Sequence, residues 1–302
     1  MRVSESHASL IDTSEYSHMT ILGFGEGAFR FALFVSIFLA MSLLEALMPR
    51  RERRFPRGRR WLTNLGILAS DYLATLVVFV LVPVTATVAA LWAEANAFGL
   101  FYWLGVPVWA QWILGIALLD FVIWGQHLIT HKVPVLWRIH RVHHTDEDLD
   151  ASSAIRFHPV EIVLSVFIKS AAVVLIGAPA LVVVAFEALV NGSALFNHAN
   201  LRLPPALDRV LRLVLVTPDM HRVHHSVYTL ETNSNYGFAL SVWDRLFRTY
   251  VPEPRDGHDN MRVGLIEWQD DKPTQLLWSL ALPFRNPPQS RPDALDAEPP
   301  RT

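Results

Sequence analysis

The hydrophobic pattern divides the chain into long apolar runs separated by short polar segments. The first run extends from Phe29 to Met48, close to the roughly 20 residues that a helix needs to cross a bilayer. Three more runs follow, from Leu65 to Trp92, from Val106 to Trp124 and from Ile162 to Phe196. We predict a membrane-spanning helix in each of the first three runs, with a kink at Pro83 in the second.

The fourth run is interrupted near its middle by Gly177-Ala178-Pro179. Each half has about 16 residues, which is short for a full span. We predict a helical hairpin that either dips into the membrane or just crosses it. In both cases the chain returns to the side from which it entered.

A basic segment lies between the first and second runs and contains a single acid, Glu52. Beside an apolar span, the positive-inside rule places such a loop in the cytoplasm. Counting spans from there puts all the His-rich segments on the cytoplasmic side, and residues 94–105 outside. We expect Phe101, Tyr102 and Trp103 to be interfacial anchors. The basic residues are Arg50, Arg51, Arg53, Arg54, Arg57, Arg59 and Arg60.

Composition supports a membrane protein and excludes several classes of function. Apolar residues make up 52% of the 302 residues and charged residues only 18%, against about 25% in an average soluble chain. With 26 basic and 28 acidic side chains, a general nucleic-acid binder is excluded. The absence of cysteine excludes disulfides, thiolate nucleophiles and iron–sulfur clusters.

Histidine is the unusual residue type, because 8 of the 13 histidines fall into three short motifs. Residues 127–131 read H-x-x-x-H, and both 140–144 and 221–225 read H-x-x-H-H. On a helix, spacings of three and four place side chains on one face, whereas adjacent side chains diverge by about 100°. Eight imidazoles are too many for one ion, so the count predicts two metals. A single motif of this kind could equally be surface or packed histidine.

Five further segments carry a resemblance to a known family. Together with the three His motifs, they resemble the fatty acid hydroxylase/sterol desaturase superfamily of integral-membrane di-metal oxygenases, from about Trp112 to Pro254. The motif spacing is similar to that of bacterial sterol desaturase family proteins and differs from that of acyl-CoA desaturases. The segments are Arg156-Phe-His158-Pro-Val-Glu161, Asn197-His198-Ala-Asn200, Thr217-Pro-Asp219-Met-His221, Asn233-Ser-Asn235-Tyr-Gly237 and Trp243-Asp244-Arg-Leu-Phe-Arg-Thr-Tyr250.

The resemblance implies a set of metal ligands that are also the catalytic centre. His198 is a candidate ninth metal ligand, with a supporting or capping role as the alternative, and His158 is expected to be structural or to support a ligand. The implied fold is an all-α transmembrane helical bundle with a cytoplasmic helical cap that carries a His-rich di-metal site. The eight implied ligands are His127, His131, His140, His143, His144, His221, His224 and His225.

The resemblance implies a membrane-bound non-haem di-iron oxidoreductase that uses O2 to hydroxylate or desaturate a lipid, such as a sterol or a fatty acyl chain. Zinc can replace the irons in preparations, because imidazole accepts both metals. The sequence has no βαβ context for a dinucleotide site, so electrons are expected from a separate cytochrome b5-like protein, or from a ferredoxin with its reductase. The expected location is the bacterial inner membrane.

The alternative function is a metal-handling membrane protein, either a transporter or a zinc-binding scaffold. A transporter needs polar or ionisable residues at mid-membrane depth in several spans. Here the histidines bracket the spans, which favours the enzyme. We divide the chain into N-terminal spans (1–105), the domain with the His motifs (106–254), and a C-terminal segment (255–302) with an amphipathic patch over Leu276 to Phe284 and a disordered tail from 286.

Carboxylates near the motifs are candidates to accept hydrogen bonds from the second nitrogen of metal-bound histidines. They are Asp120, Glu161, Asp219 and Asp244. We expect the acids of 146–150 to form a solvated loop, Arg141 and Arg222 to reach headgroups or to pair with acids, and His7, His18 and His258 to be ordinary surface residues.

Overall fold

The apolar runs form helices in the computed structural model of the chain, which describes residues 20–21 and 24–288. A two-residue antiparallel hairpin, Thr20–Ile21 (β1) with Phe24–Gly25 (β2), precedes the first helix. The helices are α1 (Glu26–Leu47), α2 (Arg57–Leu81), α3 (Ala86–Ala95), α4 (Leu100–Trp103), α5 (Val108–Lys132), α6 (Pro134–His144), α7 (Pro159–Ile176), α8 (Ala180–His198), α9 (Pro205–Leu211), α10 (Pro218–His224), α11 (Thr229–Thr232), α12 (Val242–Leu246), α13 (Gly257–Asn260) and α14 (Leu276–Ala281).

Five segments of the described chain are long and apolar enough to cross a membrane. Four of them are single helices, namely α1, α5, α7 and α8, and the fifth combines α2, α3 and α4 as Arg57–Trp103. The protein is therefore an all-α integral membrane protein, as predicted. Its apolar core lies where α3, α5, α7 and α8 meet, around side chains such as Leu119, Val183 and Phe186.

The second apolar run is not one kinked helix. α2 ends at Leu81, and residues 82–85, which include Pro83, separate it from α3. Proline lacks the backbone N–H and clashes with the preceding turn, so the helix stops rather than bends. α3 then starts at a Thr85 cap whose hydroxyl accepts a hydrogen bond from the Val88 N–H. α3 packs against α7 and α8.

The fourth run forms the predicted hairpin, but its helices, with 18 and 19 residues, are longer than the halves expected from the sequence. Gly177 ends α7 with a φ of 72°, a left-handed conformation that favours glycine. A Cβ at Gly177 would lie 2.8 Å from the Phe98 carbonyl oxygen, and one at Gly99 would lie 2.4 Å from the Gly177 nitrogen. The two turns therefore meet through bare backbone.

α5 continues beyond the predicted end of its apolar run. It reaches Lys132, so that His127 and His131 lie in its last two turns. The short helices α6, α10 and α14 pack against α7, α8 and α2 respectively. They form a helical layer at the end of the bundle where α5 and α8 end. The histidines of the second and third motifs lie in this layer, on α6 and at α10.

One surface expectation changes in the structure. Phe101, predicted as an interfacial anchor, is buried in the core, whereas Trp103 is exposed as expected. The patch over Leu276 to Phe284 is amphipathic, since Leu282 is buried while Phe284 is exposed. Of the tail predicted to be disordered from 286, residues 289–302 lie outside the described chain.

The contact between the two glycine turns gives a stability prediction. Gly177→Ala and Gly105→Ala both place a side chain at positive φ, which costs about 1 kcal/mol. Only Gly177→Ala also overlaps a neighbouring backbone, because nothing lies within 4 Å of a Cβ at Gly105. We expect Gly177→Ala to lower the free energy of unfolding in detergent by a further ~1–3 kcal/mol. Equal losses in the two variants, measured by denaturant titration, would contradict a tight contact.

Candidate metal centre

Nine histidines from four helices converge into two groups at the capped end of the bundle. Within each group, the nitrogens that could bind a metal all lie within 4.8 Å of one another. The eight histidines implied as ligands by the sequence are all present, and His198 joins them. The first cluster is His127, His131, His140, His144 and His224, and the second cluster is His143, His198, His221 and His225.

Helix geometry distributes the motifs between the two clusters. His140 and His144 are one helical turn apart on α6 and share the first cluster, while His143 faces the second. The 221–225 motif at the end of α10 repeats this division, since His224 belongs to the first cluster and His225, which follows the helix, to the second. Both helices begin with a proline, whose fixed φ suits the first turn.

Three rings of the first cluster are oriented by hydrogen bonds from Nδ1. Because a carbonyl or carboxylate oxygen can only accept, each Nδ1 carries the proton and each Nε2 is left with a lone pair. The bonds join His127 to the Tyr236 carbonyl at 2.7 Å, His224 to the Ser234 carbonyl at 2.6 Å and His140 to Glu161 Oε1 at 2.7 Å.

These lone pairs point at one another. The Nε2 atom of His127 lies 3.1 Å from that of His140 and 3.1 Å from that of His224. Neither atom of a pair can donate a proton, so the contact is repulsive unless a cation lies between them. Two nitrogens that are each about 2.1 Å from one ion stand roughly 3.0–3.4 Å apart. The spacing therefore fits ligands of a shared metal ion.

The second cluster is built in a similar way. His198 donates from Nδ1 to the Ala194 carbonyl at 2.7 Å, one turn back on α8. Its Nε2 lies 3.1 Å from that of His143 and 3.2 Å from that of His221. Neither nitrogen of His225 has a hydrogen-bond partner among the described residues. Buried polar atoms without partners are rare in proteins, and a metal ion would satisfy these.

The surroundings of four cluster histidines outside the membrane-spanning helices favour neutral imidazole. Burial lowers the pKa of His224 to about 3, although its hydrogen bond to Ser234 raises it. Burial and the neighbouring imidazoles also hold the pKa values of His143, His221 and His225 well below the usual range. Neutral imidazole is the form that binds metal.

Of the four carboxylates proposed as acceptors, only Glu161 contacts a cluster histidine. Asp120 accepts instead from the Trp243 indole at 2.8 Å. Asp219 forms ion pairs with Arg50 and Arg222. The expectation that Asp120, Asp219 and Asp244 accept hydrogen bonds from the histidines was therefore wrong. The acceptors for the other bonded rings are backbone carbonyls, which cannot be recognised from residue type.

Asp244 acts on the site through the backbone. Its carboxylate accepts the N–H groups of Tyr236 at 2.9 Å and Gly237 at 2.8 Å, and the Trp124 indole at 3.1 Å. Asn235, at a φ of 48°, is fixed by a hydrogen bond from its amide to the Met220 carbonyl on α10. This loop is thereby held where its carbonyls meet the histidines.

The acids after the second motif do not form a solvated loop. Asp146 and Asp150 are buried and bind Arg60 of α2, with distances of 2.7–2.8 Å. Burial alone would raise the pKa of Asp146, but Arg60 and Arg156 hold it well below its usual range. Arg156 also donates to the Val142 carbonyl inside the second motif at 2.9 Å. Arg60 thus anchors the segment that follows α6.

Other predicted residues lie outside the clusters. His158 caps α7, where its Nδ1 accepts from Val160 at 3.3 Å. His258 is buried, with its Nε2 3.0 Å from Glu253, so the expectation of a surface residue was wrong. His7 and His18 lie outside the described residues. Arg222 pairs with Asp219, whereas Arg141 donates to backbone carbonyls.

Comparisons with known proteins agree with this geometry. The sequence profile of the fatty acid hydroxylase family matches residues 112–249, which contain all nine clustered histidines. Over 229 residues, the chain is 29% identical to the ornithine lipid hydroxylase of Rhizobium tropici, covering 72% of this chain and 68% of that protein. No solved structure gives a significant match.

Over residues 112–249, the chain resembles the fatty acid hydroxylase family. It is also 28% identical over 221 residues to the human alkylglycerol monooxygenase and 30% identical over 141 residues to a Danio rerio cholesterol 25-hydroxylase-like protein. These matches cover 72% and 46% of this chain. The chain spans only 46% and 55% of those two relatives. The proteins to which the chain is similar are thus named as a lipid hydroxylase, a monooxygenase and a hydroxylase-like protein.

The Arg60 contacts give a prediction for the stability of the protein. Asp146→Asn removes one of the two carboxylates that bind the buried Arg60 guanidinium and leaves only Asp150, which costs about 3 kcal/mol, the lower end for breaking a buried ion pair. We expect the free energy of unfolding to fall by that amount at pH 7. Asp270→Asn is the matched control, because Asp270 pairs with Lys272 on the surface and such pairs contribute under ~1 kcal/mol. Equal effects of the two substitutions on denaturant unfolding would contradict an anchoring role.

Proposed function

We propose that the protein is a di-iron lipid hydroxylase. The observation that carries the proposal is the pair of histidine clusters, which divides nine imidazoles between two sites. Adjacent histidines of the same motif belong to different sites. Five nitrogens in the first cluster exceed the four donors typical of structural zinc, which supports iron. All nine histidines are proposed as metal ligands.

The proposed reaction consumes one O2 and two electrons for each lipid. In balance, a C–H bond, O2, two electrons and two protons give a C–OH group and water. Two bound irons would supply the redox chemistry that O2 activation requires. Glu161 and the carbonyls of Ser234 and Tyr236 hold three of the imidazoles in place. The protein around the clusters excludes water, because the cluster histidines other than His131 are buried.

Relatives support a lipid substrate and hydroxylation rather than desaturation, since their names describe an ornithine lipid hydroxylase and an alkylglycerol monooxygenase. The clusters lie at the ends of α5 and α8, so a lipid reaches them from the edge of the apolar bundle. A metal transporter or scaffold is not favoured.

The location and electron supply are also part of the proposal. The arginine-rich segment between α1 and α2 supports a cytoplasmic position for the capped end, in a bacterial inner membrane. Electrons would come from a separate cytochrome b5-like protein or a ferredoxin with its reductase. The division into 1–105, 106–254 and 255–302 stays a prediction.

Lipid mass spectrometry tests the reaction. We expect membranes that contain the protein, a reductant and O2 to accumulate a lipid heavier by about 16 Da, the mass of one oxygen atom. Membranes without the protein provide the control. A lipid lighter by about 2 Da would indicate desaturation, and an unchanged lipid profile in the presence of metal-loaded protein would contradict the proposal.

Single histidine substitutions test the two-site arrangement. His224→Ala removes a ligand from the first cluster and His143→Ala one from the second. Each is expected to lower the iron content from two towards one per chain and to abolish product formation. His258→Ala is the control, because His258 lies outside both clusters, and it should retain two irons. Normal iron content and activity in both cluster variants would remove these residues from the site.

A further inference from the structure

A small cleft of about 170 Å³ reaches the first cluster from the surface of the cap. Its lining includes His131 on the inner side, the rings of Trp137 and Trp268, and the side chains of Arg141 and Asn233. Trp137 lies against His131, with ring centroids 4.8 Å apart. The cleft therefore joins the outside of the protein to a proposed metal ligand.

Arg141 is the unusual group in this cleft. It is only 3% exposed, and its Nη2 donates to the carbonyls of Leu282 and Arg285. Its Nε has no hydrogen-bond partner among the described residues. The nearby charges are Arg138, which lowers the pKa of Arg141, and Glu267, which also lines the cleft and raises it. No carboxylate of the described chain lies within ion-pair distance of Arg141. The buried Arg60 and Arg222, by contrast, each bind an aspartate.

A buried guanidinium without a directly paired carboxylate is costly, and the two arginines beside this cleft, Arg138 and Arg141, outnumber its one acid among the described residues, Glu267. Arginine keeps its charge in proteins, and its planar group binds carboxylate and phosphate oxygens through paired N–H bonds. The Arg141 guanidinium lies 4.9 Å from the centre of the Trp268 ring, a stacking contact that fixes its orientation. Arg141 is thus preorganised for an anionic group in the cleft.

Exposed apolar side chains lie beside the cleft. Leu230, beside the lining residue Thr229, is 68% exposed. Phe284 belongs to the turn whose carbonyls bind Arg141, and it is 81% exposed, while Leu277 on α14 is 80% exposed. Such large apolar side chains at the capped end of a membrane bundle fit the lipid–water interface.

We propose that this cleft holds the anionic group, a phosphate or a carboxylate, of the lipid substrate, with Arg141 as its binding residue. This assignment rests on the proposed function, because it names the class of lipid that the hydroxylase accepts. Since His131 and Arg141 line the same cleft, an anion at Arg141 places the polar end of the lipid beside the first cluster. Arg141 then acts in substrate recognition and not in metal binding.

Lipid binding to the full-length protein in detergent tests the assignment without turnover. Native mass spectrometry would compare retention of dioleoylphosphatidylglycerol, which is anionic, with that of uncharged dioleoylglycerol. We expect wild type to prefer the anionic lipid and Arg141→Gln to lose that preference by about tenfold or more, the value of a charge-assisted hydrogen bond. Arg141→Lys, which keeps the charge but not the planar group, should lose part of it.

Arg138→Gln is the matched control. Arg138 donates to the carbonyls of Pro283 and Arg285, so its loss weakens the same turn without removing the cleft guanidinium. We expect this variant to keep the lipid preference, and all variants to keep the wild-type metal content. Loss of the preference in Arg138→Gln to the same extent as in Arg141→Gln would overturn the assignment.

Two further outcomes separate the possible ligands and the two proposals. Inorganic phosphate that displaces the anionic lipid at equal concentration would overturn a lipid as the occupant. Equal retention of the two lipids by wild type and Arg141→Gln would overturn the cleft assignment even if lipid hydroxylation is observed. Anionic lipid bound through Arg141, without oxidation of any lipid, would contradict the proposed function and leave the anion site standing.

Discussion

Imidazole lone pairs that face one another at about 3 Å constrain everything else at the capped end of the bundle. The Nδ1 protons of His127, His140 and His224 are all committed to acceptors, and their Nε2 atoms converge at 3.1 Å. Only a cation makes that arrangement favourable. Burial strengthens the need for a cation, because it lowers the pKa of His224. The ring therefore stays neutral and cannot relieve the contact between lone pairs by binding a proton.

Much of the surrounding structure serves to hold those rings. Asp244 fixes the loop that presents the Tyr236 carbonyl, and Arg60 with Arg156 fixes the end of α6 that carries the second motif. Both devices bring together residues that are far apart in sequence, so they depend on the packing of α2, α5 and α6. The membrane bundle thereby determines the arrangement of the clustered histidines, although most of them lie in the cap.

The histidines of the site could be predicted from the sequence more completely than the groups that hold them in place. The H-x-x-H-H motifs specify helical faces, and the adjacent histidines of each motif do lie in different clusters. Glu161 could be predicted as a hydrogen-bond acceptor for a histidine, because its carboxylate is a property of the residue type. The carbonyls of Ser234 and Tyr236 could not be predicted as acceptors, because every residue has a backbone carbonyl. The burial of Asp146 was not predicted, because its partner, Arg60, lies 86 residues away in the sequence. Arg60 belongs to the basic segment, whose charge was interpreted only as an indication of the cytoplasmic side.

The most direct test of two metal sites is an experimental map of the purified protein, recorded at the iron absorption edge so that anomalous scattering identifies the metal. The arrangement of the lone pairs predicts two separate iron peaks, one among the five histidines of the first cluster and one among the four of the second. A single peak shared by all nine rings, or rings that turn away from each other with no metal between them, would contradict a di-iron centre.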